Sequence, residues 1–263
     1  MRIALAQTDV YWEDKERNKD KFIKFIEEAK SKHADIVIFP EMTLTGFSQK
    51  VNKIGEENCE TIEWFKEQSV KHCIYTCFGH VEGNKDKGKN NLSIVSPKGE
   101  LITTYTKLHP FSYSGEDAFY NKGEGLAVFN INEVKTSAFI CYDLRFPEIF
   151  QIASKKAELI IVIANWPESR RDAWITLLRA RAIENQCFIA GVNRVGIGDG
   201  IKYSGDSMVV DPKGNILVSS QEKEELLVCD INTEDVKKFR EKFPYKKDRR
   251  EELYIDMFHK SKE

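Results

Sequence analysis

Pro97-Lys98-Gly99 and Pro212-Lys213-Gly214 are two copies of one turn. Each stands between short apolar segments, 92–96 and 101–108 around the first, 208–210 and 216–219 around the second. Proline presets φ for the second position of a type I turn and glycine suits the last, so each copy predicts an antiparallel hairpin. Elsewhere strands and helices alternate. Segments 2–9, 35–39 and 74–81 predict strands, and 62–71 predicts a helix. Segment 14–32 predicts an amphipathic helix with Phe22, Ile23, Phe25, Ile26 and Ala29 on one stripe. The apolar run 159–164 leads through Asn165-Trp166-Pro167 into a strong helix over 172–185. Alternation alone suits a doubly wound parallel sheet, but two hairpins demand antiparallel pairs. The chain therefore reads as an α/β sandwich of mixed sheets, with two similar halves that each supply a sheet covered by helices.

With 263 residues and 41% hydrophobic composition, one domain over 1–263 is expected, with a charged tail from about residue 243 wrapping the surface or a partner subunit. Lys and Arg number 40 against 42 Asp and Glu, which argues against a nucleic-acid or anionic membrane surface. The most apolar run, 159–164, is too short to span a bilayer. The apolar start is cut off by Gln7-Thr8-Asp9, too early for a signal peptide, so a cytoplasmic location is expected. The six cysteines include no C-x-x-C pair, as suits free thiols in a reducing compartment. His72, Cys73, Cys77 and His80 lack a second ligand pair at metal-site spacing, so no metal is expected.

Three predicted strands end on reactive side chains. Segment 35–39 runs through Pro40 to Glu41, 101–106 to Lys107, and 136–140 to Cys141. Each has an ordinary explanation: Glu41 as a turn cap, Lys107 as a solvated lysine, Cys141 as a small core residue. Nearby His109 reads as a structural hydrogen-bonding residue. Together the three types suit amide chemistry through a thiol. The carboxylate takes the thiol proton and returns it to the departing amine, and the cation holds the negative oxygen of the tetrahedral intermediate. Cys141-Tyr142-Asp143 at a strand-to-helix elbow also offers backbone N–H groups, that of Tyr142 first, to the oxyanion.

Phe39-Pro40-Glu41-Met42, Tyr105-Thr106-Lys107-Leu108-His109 and Cys141-Tyr142-Asp143-Leu144-Arg145-Phe146-Pro147-Glu148 resemble, in order and spacing, the three motifs of the nitrilase superfamily of carbon–nitrogen hydrolases. The resemblance runs from Ala4 to about Val228. It implies a four-layer α-β-β-α sandwich, a Glu41-Lys107-Cys141 triad, commonly a homodimer, and no metal or organic cofactor. It also implies a second glutamate in the loop after the lysine. Glu116 is the best match and Glu124 a weaker one; the ordinary alternative for Glu116 is a solvated loop carboxylate.

The residues after Cys141, with Asn165-Trp166-Pro167-Glu168-Ser169-Arg170 and the helix that follows, are similar to the omega-amidase branch. That branch hydrolyses the terminal amide of dicarboxylic acid monoamides such as 2-oxoglutaramate. The far carboxylate of such a substrate calls for a guanidinium, and Arg145 and Arg170 are the candidates. Arg145 is as well suited to an ion pair with Asp143, Glu148 or Glu184. Phe111, Tyr113 and Trp166 are candidates for an apolar wall. The alternatives are the same chemistry on deaminated glutathione, a carbamoyl amine or a nitrile, and a non-catalytic binding member.

Overall fold

The computed structural model describes residues 1–83 and 87–261. Among the described residues, thirteen strands form two sheets. The first contains β1 (Arg2–Gln7), β2 (Ile36–Ile38), β3 (Tyr75–Glu82), β4 (Lys89–Val95) and β5 (Leu101–Thr106). The second contains β6 (Val128–Ile131), β7 (Val134–Ile140), β8 (Leu159–Ala164), β9 (Phe188–Asn193), β10 (Val195–Gly198), β11 (Ile201–Val210) and β12 (Ile216–Gln221). The last strand, β13 (Glu225–Asp230), returns to the first sheet beside β1, giving the order β13-β1-β2-β3-β4-β5. The second sheet runs β10-β11-β9-β8-β7-β6, with β12 on β11.

Each sheet has a parallel centre, β1-β2-β3 and β7-β8-β9, flanked by antiparallel pairs. Both Pro-Lys-Gly turns form as expected. Gly99 N–H donates to Ser96 O and Gly214 N–H to Asp211 O, each at 2.9 Å. The β4–β5 and β11–β12 hairpins follow from them.

Strand alternation sorts side chains between layers. Ile3, Leu5, Ile36 and Ile38 point between the sheets, toward Ala138, Ile140, Ile161 and Ile163. Ala4, Ala6 and Val37 point the other way, toward the helices Lys15–Ser31 and Glu60–His72. There Phe22, Phe39, Phe65 and Phe78 form a chain of ring contacts, the last pair stacked at 3.9 Å. Asp14 caps the first helix by accepting from Arg17 N–H at 3.2 Å, and Phe22, Phe25, Ile26 and Ala29 are buried as the stripe predicts, whereas Ile23 is only half-buried. The helices Pro147–Ala153 and Arg171–Asn185 cover the second sheet through Phe150, Trp174, Leu178 and Ala182. The result is an α-β-β-α sandwich.

The charged tail lies along its own chain, apart from its last two residues, which fall outside the described ones. Lys246 Nζ donates to Ser154 Oγ and Arg249 to Gln151 Oε1, each at 2.7 Å. The helix Glu251–Lys260 follows, with Ile255, Met257 and Phe258 more than half exposed. No helix of the described residues is long and apolar enough to cross a membrane.

Candidate active site

Glu41, Lys107 and Cys141 follow β2, β5 and β7, and the packing of the two sheets brings these strand ends together. Lys107 is the bridge. Its Nζ lies 3.0 Å from Glu41 Oε1 and 3.0 and 2.9 Å from the two oxygens of Glu116. All three side chains are buried. Asn90 Nδ2 spans the carboxylates, donating to Glu41 Oε1 at 2.7 Å and to Glu116 Oε1 at 3.1 Å. Glu41 Oε2 accepts from the Asn165 N–H at 2.9 Å, and Glu116 Oε2 from the Phe111 N–H at 2.6 Å. Burial opposes a charged lysine, but the facing carboxylates of Glu116 and Glu41 outweigh it and hold Lys107 well above the ordinary lysine range. The site therefore keeps a fixed cation at any physiological pH.

Cys141 opens the 3-10 turn Cys141–Arg145 with φ of 48°, a left-handed conformation that a non-glycine residue adopts at a cost. Asp143, fully buried, holds this elbow. It accepts from Ile140 N–H at 3.1 Å and from Tyr105 Oη at 2.8 Å. It also accepts from His109 N–H at 3.0 Å and lies 2.8 Å from His109 Nδ1. His109 thus ties the lysine strand to the cysteine turn, the structural role expected of it. Burial first, and then the adjacent Glu41 carboxylate, push the Cys141 thiol well above its ordinary range. A thiol kept protonated in this way needs a base at the moment of attack, and Glu41 is the group beside it.

Cys141, Lys107 and Glu116 line one pocket. Phe111, Tyr142, Arg145, Trp166 and Arg170, the five residues expected to bind substrate, line it too. The Arg145 guanidinium lies 5.0 Å from the Trp166 ring centroid, and that of Arg170 lies 5.0 Å from the Phe111 ring. The ion pair considered for Arg145 does not form. Glu184 pairs with Arg181, and Asp143 is taken up by the elbow. Among the described residues arginine ion pairs involve Arg2, Arg17, Arg171, Arg181, Arg194 and Arg249 only. Tyr113 corrects the expected wall: its side chain is 87% exposed and outside the pocket. Glu124 is exposed, whereas Glu116 is the buried partner of Lys107.

The sequence model of the carbon-nitrogen hydrolase family matches residues 2–241. The chain belongs to the carbon-nitrogen hydrolase family. Among its relatives in that family, it is 33% identical to the 2-oxoglutaramate amidase of Bacillus subtilis (strain 168), over 96% of this chain and 98% of that one. It is 31% identical to the omega-amidase YafV of Yersinia enterocolitica, over 93% of this chain and 94% of that one. Among solved structures it is similar to XC1258 from Xanthomonas campestris, described as a CN-hydrolase superfamily protein with an arsenic adduct in the active site. That likeness has a TM-score of 0.89 at 31% identity and covers 95% of this chain and 97% of that one.

Asn90, beside Glu41 and Glu116, and the pocket-lining Asn165 and Tyr203 are among the residues here that the sequence did not point to. Asn90 precedes the apolar part of β4 and meets Glu41 and Glu116 only after β4 pairs with β5, where Lys107 N–H donates to Asn90 O at 2.9 Å. Asn165 stands beside the expected Trp166, but its bonds to Glu41 cross from one sheet to the other. Tyr203, on β11, reaches the pocket across the second sheet and left no local signal.

Proposed function

We infer that the protein is a thiol-dependent omega-amidase. It hydrolyses the terminal amide of a small dicarboxylic acid monoamide of the 2-oxoglutaramate or 2-oxosuccinamate type, giving the acid and ammonia. One observation carries this reading: two guanidiniums without an ion pair among the described residues, Arg145 and Arg170, line the same pocket as Cys141 and Lys107, the partner of buried Glu41. An amide held at the sulfur with a carboxylate at its other end satisfies both halves of that pocket. The names of the amidase relatives point the same way.

In the proposed reaction, Glu41 takes the Cys141 proton as the sulfur attacks the amide carbon. Lys107 Nζ and the Tyr142 N–H hold the resulting oxyanion. Glu41 passes the proton to the nitrogen, the C–N bond breaks, and ammonia leaves a thioester. Glu41 then deprotonates a water that attacks the thioester, and the thiol is regenerated. Glu116 and Asn90 keep Lys107 and Glu41 in place. Phe111, Tyr142 and Trp166 cover the short carbon chain, while Arg170 and Arg145 take its far carboxylate.

Ammonia release from 2-oxoglutaramate, succinamate, deaminated glutathione, carbamoyl amino acids and simple nitriles tests the assignment. The two dicarboxylic monoamides are expected to dominate kcat/KM; turnover confined to the nitriles would show the branch to be wrong. We further infer a single domain over 1–263, a homodimer and a cytoplasmic location. The exposed Ile152, Ile255, Met257 and Phe258 support the dimer, and the free thiols support the compartment. Light scattering, with a monomer mass as the contrary result, checks the first of these two; fractionation of cells checks the second.

A further inference from the structure

Asn165, which lines the pocket, carries a side-chain acceptor that no donor among the described residues reaches. Its Nδ2 donates to the Glu41 main-chain oxygen at 2.6 Å. That oxygen can only accept, which fixes the orientation of the side-chain amide and leaves Oδ1 for another partner. Oδ1 is buried and meets none. Of the buried side-chain polar atoms without a partner among the described residues, it is the one on a pocket-lining residue. A buried acceptor left open in an active-site wall is a place for a ligand's donor.

The neighbouring acceptors are already engaged. The four lone-pair positions of Glu116 face Lys107 twice, Asn90 and the Phe111 N–H. Glu41 Oε1 faces Lys107 and Asn90. Glu41 Oε2 accepts from the Asn165 N–H, and the Glu41 carboxyl also faces the Cys141 thiol whose proton it takes. A carboxamide whose carbon meets Cys141 brings an NH2 group with two donors. The buried, pocket-lining side-chain acceptor without a partner is Asn165 Oδ1, on a residue tied to Glu41 by two hydrogen bonds.

We propose that Asn165 Oδ1 accepts a hydrogen bond from the amide NH2 of the substrate and thereby selects a carboxamide over an ester of the same acid. The inference rests on the amide-hydrolase reading above. The bond holds the leaving nitrogen against the Glu41 carboxyl, which returns the proton. An ester presents lone pairs at that position, which Oδ1 repels.

The test measures binding without turnover. In Cys141→Ala protein, the affinities of succinamate and of monomethyl succinate are compared by calorimetry, with and without Asn165→Ala. Asn165→Ala is expected to weaken succinamate about tenfold, the weight of one hydrogen bond, and to leave the ester unchanged or tighter. Equal weakening of both ligands would mean that Asn165 only props Glu41, and would overturn the proposal, as would an unchanged succinamate affinity. Asn165→Leu, which keeps the branched shape of asparagine without its polar atoms, gives the same comparison if the alanine variant does not fold. If Cys141→Ala protein with Asn165 intact binds neither ligand, the dicarboxylic monoamide reading itself fails and the selection falls with it.

Discussion

Gly79 lies directly against Met42: a Cβ built on Gly79 would sit 2.4 Å from the Met42 nitrogen. It would also meet the Cα and carbonyl carbon of Glu41 at 3.0 Å. Met42 has φ of 47°, and Thr43 Oγ1 accepts from the Gly79 N–H at 2.8 Å, so this corner has no slack. Gly79→Ala must displace the Glu41 backbone. A shift near 1 Å is expected to lower kcat on the order of 100-fold, with stability falling by about 1–3 kcal/mol. Steady-state kinetics beside urea denaturation separates the two effects.

Among the described residues, Lys107 is the one cation shared by the buried Glu41 and Glu116 side chains. Lys107→Met is expected to abolish amide turnover and to cost about 3–5 kcal/mol of stability, because it leaves buried charge without a partner. Adding Glu116→Gln is expected to recover part of the stability and none of the activity. A double-mutant cycle by denaturant titration measures that coupling; simple additivity would contradict a shared charge cluster.

The Cys141 thiol is held protonated by burial and by the Glu41 carboxylate. A raised thiol pKa means less thiolate at every pH below it. Alkylation of Cys141 by iodoacetamide in the free enzyme should therefore rise through pH 9 with no plateau, whereas an ordinary thiol would be half ionised there. Mass spectrometry of the Cys141 peptide distinguishes this sulfur from the exposed Cys59 and Cys73. A plateau near pH 7 would indicate a thiolate already formed in the resting enzyme.

Among the described residues Arg170 has no ion pair, and it lines the pocket, so its charge is available to the substrate. Arg170→Ala is expected to raise KM for succinamate about tenfold or more, the weight of a charge-assisted hydrogen bond, with a smaller change in kcat. Butyramide, uncharged at its far end, should lose little. Equal losses for both amides would locate the effect in pocket packing.

His80 is buried on β3, with Nε2 2.9 Å from Ser93 Oγ, and burial lowers its pKa to about 4. In the unfolded chain it titrates near its ordinary 6.5. Between these values the unfolded state binds the extra proton, so stability falls as pH drops from about 6.5 toward 4. The fall attributable to His80 is expected to reach roughly 2–3 kcal/mol. Urea titrations from pH 7.5 to 4.5 should show a shallower decline in His80→Gln protein.

By itself the sequence determined the sandwich and the reactive trio. The two Pro-Lys-Gly turns carry their own backbone geometry, and Phe22, Phe25, Ile26 and Ala29 declare a buried helix face by spacing alone. Glu41, Lys107 and Cys141 were legible because each follows a strand-like segment, so local pattern already sets its place at a sheet end. Only the tertiary structure decided how the trio is held. Asn90 reaches Glu41 and Glu116 across strands, and Asn165 reaches Glu41 across the two sheets. The freedom of Arg145 depended on Arg181 taking Glu184. Such choices are contests between donors and acceptors far apart in the chain. Side-chain spacing carries no trace of them until packing brings the competitors within hydrogen-bond distance and excludes the water that would otherwise satisfy them all.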